Sequence, residues 1–249
     1  MHDTSFENLE LLINNYKNFL SGKDIKVLDI GSRVRTPEKI TRWKGIIPDY
    51  YEYIGIDIEK GQNVDIVLDS PYKYPFEDNS IDLIIANSIF EHSEFFWELF
   101  LELLRILKPS GLLYINAPSN GDFHRGPVDV YRFYPDSGKA LEKWGIKNGY
   151  ENTLLLESYT YKRKTKSWND FVAIFIKDSN YLNNFKNRVI DNIDNFYNGL
   201  SDTQDGFLNF QELTEDHELL LKKQYIKRFM NKFSSPFFIV KKVIKKIIK

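Results

Sequence analysis

Five short apolar runs, each closed or followed at once by Gly, Asp or Asn, constrain this chain more than any other feature. They are Ile25–Gly31 (IKVLDIG), Tyr53–Asp57 (YIGID), Val64–Leu68 (VDIVL), Ile81–Ala86 (IDLIIA) and Gly111–Asn116 (GLLYIN). Runs this short and unbroken read as strands buried on both faces. Helical spacing brackets them. Phe6, Leu9, Leu12, Ile13, Tyr16 and Leu20 mark a helix over residues 5–20 with Ser21-Gly22 as its stop. Glu94–Leu107 is a second helix, ended by Pro109-Ser110-Gly111. Strands alternating with helices predict an α/β, Rossmann-like parallel sheet with helices on both sides.

Beyond Pro135 the pattern predicts a helix over Asp136–Trp144 and strands at Thr153–Tyr161 and Asp170–Lys177. Only Lys162–Asn169 separates those strands. That is too short for a helical crossover, so they pair antiparallel. From Asp178 the chain turns rich in Asn, Asp, Lys and Phe. Helical periodicity around Tyr181–Leu200 and Leu213–Phe233 predicts a helical appendage over 178–249, after a main domain over 1–177.

Composition narrows the function classes. The 19 Phe, 15 Tyr and 4 Trp supply a core, and the absence of Cys removes disulfides, thiolate metal sites and thiol nucleophiles. A Cys-free chain fits a reducing cytoplasm. The first 20 residues lack the apolar stretch of a signal peptide, and no run approaches the roughly 20 apolar residues that span a bilayer. The net charge of −1 hides an asymmetry: ten of the 34 Lys and Arg, and none of the 35 Asp and Glu, lie in Leu219–Lys249. The acidic remainder offers no nucleic-acid footprint. In Ile239–Lys249 (IVKKVIKKIIK) the Ile and Val fill one half of a helical wheel and the Lys the other. Such a helix either docks on its own domain or lies in a membrane surface.

Chemistry is expected where strands end, because a doubly wound sheet binds ligands outside the carboxyl ends of its strands. Asp29-Ile30-Gly31-Ser32 ends the first strand and Asp57 the second. Asp69 follows the third and Asn87 the fourth. A carboxylate at the end of the second strand can accept from both hydroxyls of a ribose. Each residue alone is a common turn element, but four in order are specific.

These residues carry a resemblance. VLDIGSRV (27–34), YIGID (53–57), YPFEDNSIDLIIAN (74–87), Glu91-His92 and LRILKPSGLLYIN (104–116) follow one another as in class I S-adenosylmethionine-dependent methyltransferases. The chain resembles their small-molecule, type 11-like branch, closely over 25–117 and loosely to 177. The resemblance implies a seven-stranded sheet whose last strand is antiparallel, with the methyl donor at the switch point. It places Asp29, Gly31 and Ser32 around the donor's methionine part, Asp57 and Ile58 at the ribose, Asp69 near the adenine, and Asn87 and Ser88 near the sulfonium. Ser32 and Arg33 stand where that family's loop is richer in glycine.

Pro118–Gly138 (PSNGDFHRGPVDVYRFYPDSG) follows the fifth strand, where the acceptor pocket of this fold lies. It resembles a segment of methyltransferases encoded with bacterial surface-polysaccharide enzymes. Acceptor binding is therefore expected from His124, Arg125, Asp129, Tyr131, Arg132 and Tyr134. His124, His92 and Arg132 are the catalytic candidates. His92 also reads as a packing residue, and Asp129 with Arg132 as an ion pair that shapes the loop. No cluster has dependable metal-ligand spacing, so no metal is expected. The expectation is a cytoplasmic O-methyltransferase acting on a small, anionic acceptor from capsule or surface-polysaccharide synthesis, such as a nucleotide-linked sugar or a phosphoramidate. N- or C-methylation, or a non-catalytic scaffold, are the alternatives.

Overall fold

The computed structural model describes residues 3–20, 25–34, 45–162 and 169–232. Nine strands form one sheet: β1 (Lys26–Ile30), β2 (Glu52–Asp57), β3 (Ile66–Val67), β4 (Ile81–Asn87), β5 (Leu107–Pro118), β6 (Leu154–Tyr161), β7 (Asp170–Ile176), β8 (Phe196–Ser201) and β9 (Gln204–Leu208). Their order is β3-β2-β1-β4-β5-β7-β6-β8-β9. Strands β1 to β5 run parallel. Strand β7 is antiparallel to β5 and β6, as the short 162–169 link requires. The chain leaves β1 toward β2 on one side and returns to β4 on the other. The carboxyl ends of β1 and β4 therefore flank the switch point.

Alternate residues of the central strands feed two apolar layers. Val27, Leu83, Ile85, Leu112 and Tyr114 face α1 (Asp3–Tyr16), while Leu28, Ile84, Leu113 and Ile115 pack with α2 (Phe96–Ile106) and α3 (Asp136–Lys147). Burial on both faces explains why the strands read as unbroken apolar runs.

The sheet has nine strands where the resemblance implied seven, and a second expectation is also corrected. Residues 178–211 do not begin a helical appendage. They form two short 3-10 turns (Ser179–Asn184 and Val189–Asn192) and then β8 and β9, which extend the sheet within one compact unit, Met1–Gln211. Tertiary contacts override the local helical spacing. Arg188 is buried and grips Asp202 with two bonds, Nε to Oδ1 at 2.6 Å and Nη2 to Oδ2 at 2.7 Å. The Glu157 carboxylate on β6 accepts the backbone N–H of Val189 at 2.9 Å and of Ile190 at 3.0 Å. Pairing with β8 also satisfies the outer edge of β6.

The second unit spans Glu212–Lys249. Its helix α4 (Glu215–Lys232) matches the expected period, with a Glu218–Lys222 pair at 3.8 Å. The Ile239–Lys249 segment lies outside the described residues. Among the described residues no helix is long and apolar enough to cross a membrane.

Candidate active site

At the end of β1 the chain must turn sharply beneath the open end of the sheet. Gly31 does so at φ +68°, and a Cβ there would fall 1.9 Å from Ile89 Cδ1. The N–H groups of Gly31 and Ser32 both reach the Ile56 carbonyl, at 2.8 and 3.0 Å. The Ser32 hydroxyl is buried and donates to the Asn63 carbonyl at 2.6 Å. Asn63 Nδ2 bonds Ser32 O at 3.1 Å and the Tyr53 hydroxyl at 2.7 Å, and that hydroxyl donates to Asp29 at 2.6 Å. Asp29 and Ser32 thus lie behind the loop and hold its shape; they do not form the cavity wall.

That wall encloses about 700 Å³ over the carboxyl ends of β1, β2 and β4. This is within the range of small-molecule sites. Gly31, Asp57, Ile58, Asn87 and Ser88 line it as expected. Asp57 ends β2, its carboxylate accepting from Arg33 N at 3.3 Å and Glu59 N at 2.9 Å. Asp69 is exposed and outside the wall, where its neighbours Leu68 and Pro71 stand instead. Asn87 ends β4 and is 3% exposed. Its Oδ1 accepts from Asn116 at 3.0 Å, and Asn116 in turn accepts from Asn8 of α1 at 3.1 Å. That relay orients the Asn87 amide, whose Nδ2 is buried with no hydrogen-bond partner among the described residues. Buried donors are seldom left unmet, so this one points to a ligand atom.

The other end of the cavity is built by a 3-10 turn (Phe90–His92) and the loop after β5. Glu91, His92, His124 and Arg125 line it. Glu91 is 1% exposed, and burial pushes its carboxyl up to about 8. His92 Nδ1 bonds the Val128 carbonyl, which fixes the proton on Nδ1, and burial lowers the pKa of the ring. The rings of His92 and His124 stand 5.1 Å apart and nearly perpendicular.

Arg132 does not enter this wall. It grips Asp129 with bonds of 2.6 and 2.9 Å and also reaches the Tyr131 and Asp122 carbonyls. Asp129 further accepts the His124 N–H at 2.7 Å, and the Arg132 guanidinium holds its carboxyl well below the usual range. The expected ion pair is therefore present, and it shapes the loop that presents His124. Tyr131 packs on Phe96 with ring centroids 4.9 Å apart, and Tyr134 is exposed; neither lines the cavity.

Residues 42–115 match the methyltransferase domain model. Among solved structures, the 1,6-didemethyltoxoflavin-N1-methyltransferase of Burkholderia thailandensis, with bound S-adenosylhomocysteine, is similar at 12% identity. The match covers 70% of this chain and 78% of that one, with a TM-score of 0.51. A methyltransferase from Aquifex aeolicus is 16% identical over 71% of this chain and 99% of its own, at 0.44. No curated protein matches. The fold is that of S-adenosylmethionine-dependent methyltransferases, and residues 42–115 carry the matching domain signature. The cavity residues fit S-adenosylmethionine. Asp57 offers a carboxylate to ribose hydroxyls, Gly31 lets the backbone approach closely, and Asn87 presents an unmet amide donor. The methyltransferase residues that escaped the sequence reading are Tyr53, Asn63, Asn116 and Asn8. Asn8 and Asn63 lie outside every motif, and Tyr53 and Asn116 sit within motifs but act through partners distant in sequence.

Proposed function

We propose that the methyltransferase domain transfers the methyl group to a hydroxyl oxygen of a small polar acceptor, such as a sugar or a nucleotide-linked sugar. The observation that carries this reading is the pair of imidazoles, His92 and His124, with ring centroids 5.1 Å apart in the wall that Asp57 also lines. When bound, S-adenosylmethionine supplies an electrophilic methyl group. A hydroxyl is a poor nucleophile at neutral pH and needs a group that takes up its proton or hydrogen bond. His92 has its proton on Nδ1, so Nε2 is the atom that can accept. Direct methylation of a phosphoryl oxygen has less support: Arg132 is committed to Asp129 and lies outside the wall, and of the guanidinium groups that line the cavity Arg33 is paired with Glu59, leaving Arg125. Resemblance of the 118–138 segment supports an acceptor from surface-polysaccharide synthesis. The amphipathic Ile239–Lys249 pattern supports peripheral membrane contact on the cytoplasmic side.

The test is turnover with S-adenosylmethionine and a panel of sugars, nucleotide-linked sugars and phosphorylated metabolites, with products read by mass spectrometry. Methyl ethers are expected. Methylation found only on nitrogen, carbon or a phosphoryl oxygen would overturn the assignment. Sedimentation with anionic vesicles, with and without residues 237–249, tests the membrane contact.

A further inference from the structure

Glu91 and His92 are adjacent in the chain, but 31 residues lie between His92 and His124, so only the fold brings the three together. Their ligand atoms all lie within 4.8 Å of one another, and His92 Nε2 is already 3.7 Å from Glu91 Oε1. All three line the cavity.

We propose that Glu91, His92 and His124 bind one divalent transition-metal ion, of the zinc, cobalt or manganese kind, in the acceptor end of the cavity. Three features support it. Two imidazoles with one carboxylate suit these borderline ions and disfavour calcium or magnesium. Each histidine directs Nδ1 at a backbone carbonyl, His92 at Val128 and His124 at Asp122 (3.1 Å). That is the outer-shell arrangement that fixes the tautomer and puts the lone pair on Nε2. Independently, Glu91 Oε2 is buried and has no hydrogen-bond partner among the described residues. A buried carboxylate oxygen with no donor facing it is stabilised by a cation.

Three protein ligands leave a coordination position open to the cavity. Bonds of roughly 2.0–2.2 Å need ligand atoms on the order of 3.4 Å apart, so the cluster must contract by about 1 Å. His124, on the loop held by Asp129 and Arg132, is the member placed to move. The ion's role rests on the O-methylation reading; its binding does not. With the ion bound, His92 Nε2 is a ligand and no longer the acceptor for the hydroxyl; the ion takes over that task by acidifying an acceptor hydroxyl on the open position. Its proton would pass to water, and the oxygen would form the new C–O bond as the donor's C–S bond breaks, its electron pair staying on sulfur.

The experiment uses the full chain without a tag, stripped of metal and titrated with Co²⁺. Visible absorption and calorimetry are recorded with and without S-adenosylhomocysteine. One saturable equivalent with d–d absorption is expected, weakened by more than about 10-fold in both His124→Ala and Glu91→Gln. S-Adenosylhomocysteine affinity serves as the readout of an intact fold. If Glu91→Gln does not fold, His124→Ala decides. No saturable Co²⁺ binding by folded protein, or equal affinity in the variants, overturns the site. Normal Co²⁺ binding without S-adenosylhomocysteine binding would instead count against the methyltransferase reading alone.

Discussion

The two ends of the cavity are built in different ways. The donor end stands on strand termini: Gly31 after β1, Asp57 at the end of β2, Asn87 at the end of β4. Sheet register sets Asp57 opposite Val67 and Asn87 opposite Asn116, and Gly31 follows Ile30, which pairs with Ile56 and Ala86. The acceptor end stands on a loop, held by the Asp129–Arg132 pair and by two backbone bonds from Val130 and Tyr131 to the Glu91 carbonyl. Strand termini cannot move without breaking the ladder, whereas a loop can be reshaped or replaced at small cost. The contrast suits an enzyme that keeps one donor while its acceptor site is free to vary.

Substitutions at the donor end should produce the largest effects. Gly31→Ala forces a Cβ into Ile89 at a positive φ. Moving the loop costs about 1–3 kcal/mol, and S-adenosylhomocysteine affinity should fall by roughly 5- to 150-fold in calorimetry. Normal affinity in this variant would break the contrast, because the donor end would then be as adaptable as the loop.

Asp57→Ala removes the cavity-lining carboxylate proposed to accept from the ribose hydroxyls. It should weaken S-adenosylhomocysteine binding by about 1–3 kcal/mol with little change in melting temperature. An unchanged dissociation constant would remove Asp57 from the site.

Arg132→Ala tests the other end. It leaves the Asp129 carboxylate with the His124 N–H but without its guanidinium. Proteolysis within 118–135 should quicken by about 10-fold, while S-adenosylhomocysteine affinity stays the same. Loss of donor affinity would show that the two ends are coupled.

The smallest effect on the cavity is expected from Glu157, which lies away from it under β8. Burial pushes its carboxyl up to about 7, against donors from Val189, Ile190 and Tyr16. With an unfolded value near 4.5, its stabilising contribution is complete below about pH 4.5 and is lost as pH rises through about 7. Melting temperature should therefore drift downward from pH 5 to 7.5 in the wild type, and less steeply in Glu157→Gln. Equal slopes would count against a raised Glu157.

The amino-acid sequence by itself determined the parallel core and the donor end. Unbroken apolar runs can only be satisfied by a sheet covered on both faces, and the polar residue that closes each run then falls at the switch point. Asp57 and Asn87 could be placed for that reason, since strand-end position is a local property. Asp69 shows the limit: the turn after a two-residue strand carries it out of the wall. Only the tertiary structure decided the rest. Residues 178–211 have helical spacing, yet Arg188, Asp202 and Glu157 pull them into strands, because an unpaired edge and a buried charge outweigh local propensity. Arg132 could be seen beside Asp129 in sequence, but the fold alone shows that the pair lies outside the cavity wall. Glu91, His92 and His124 carry no ligand spacing, because β5 and α2 lie between the two histidines in the chain. Their meeting depends on where the loop after β5 returns across the sheet, a long-range event with no local signature.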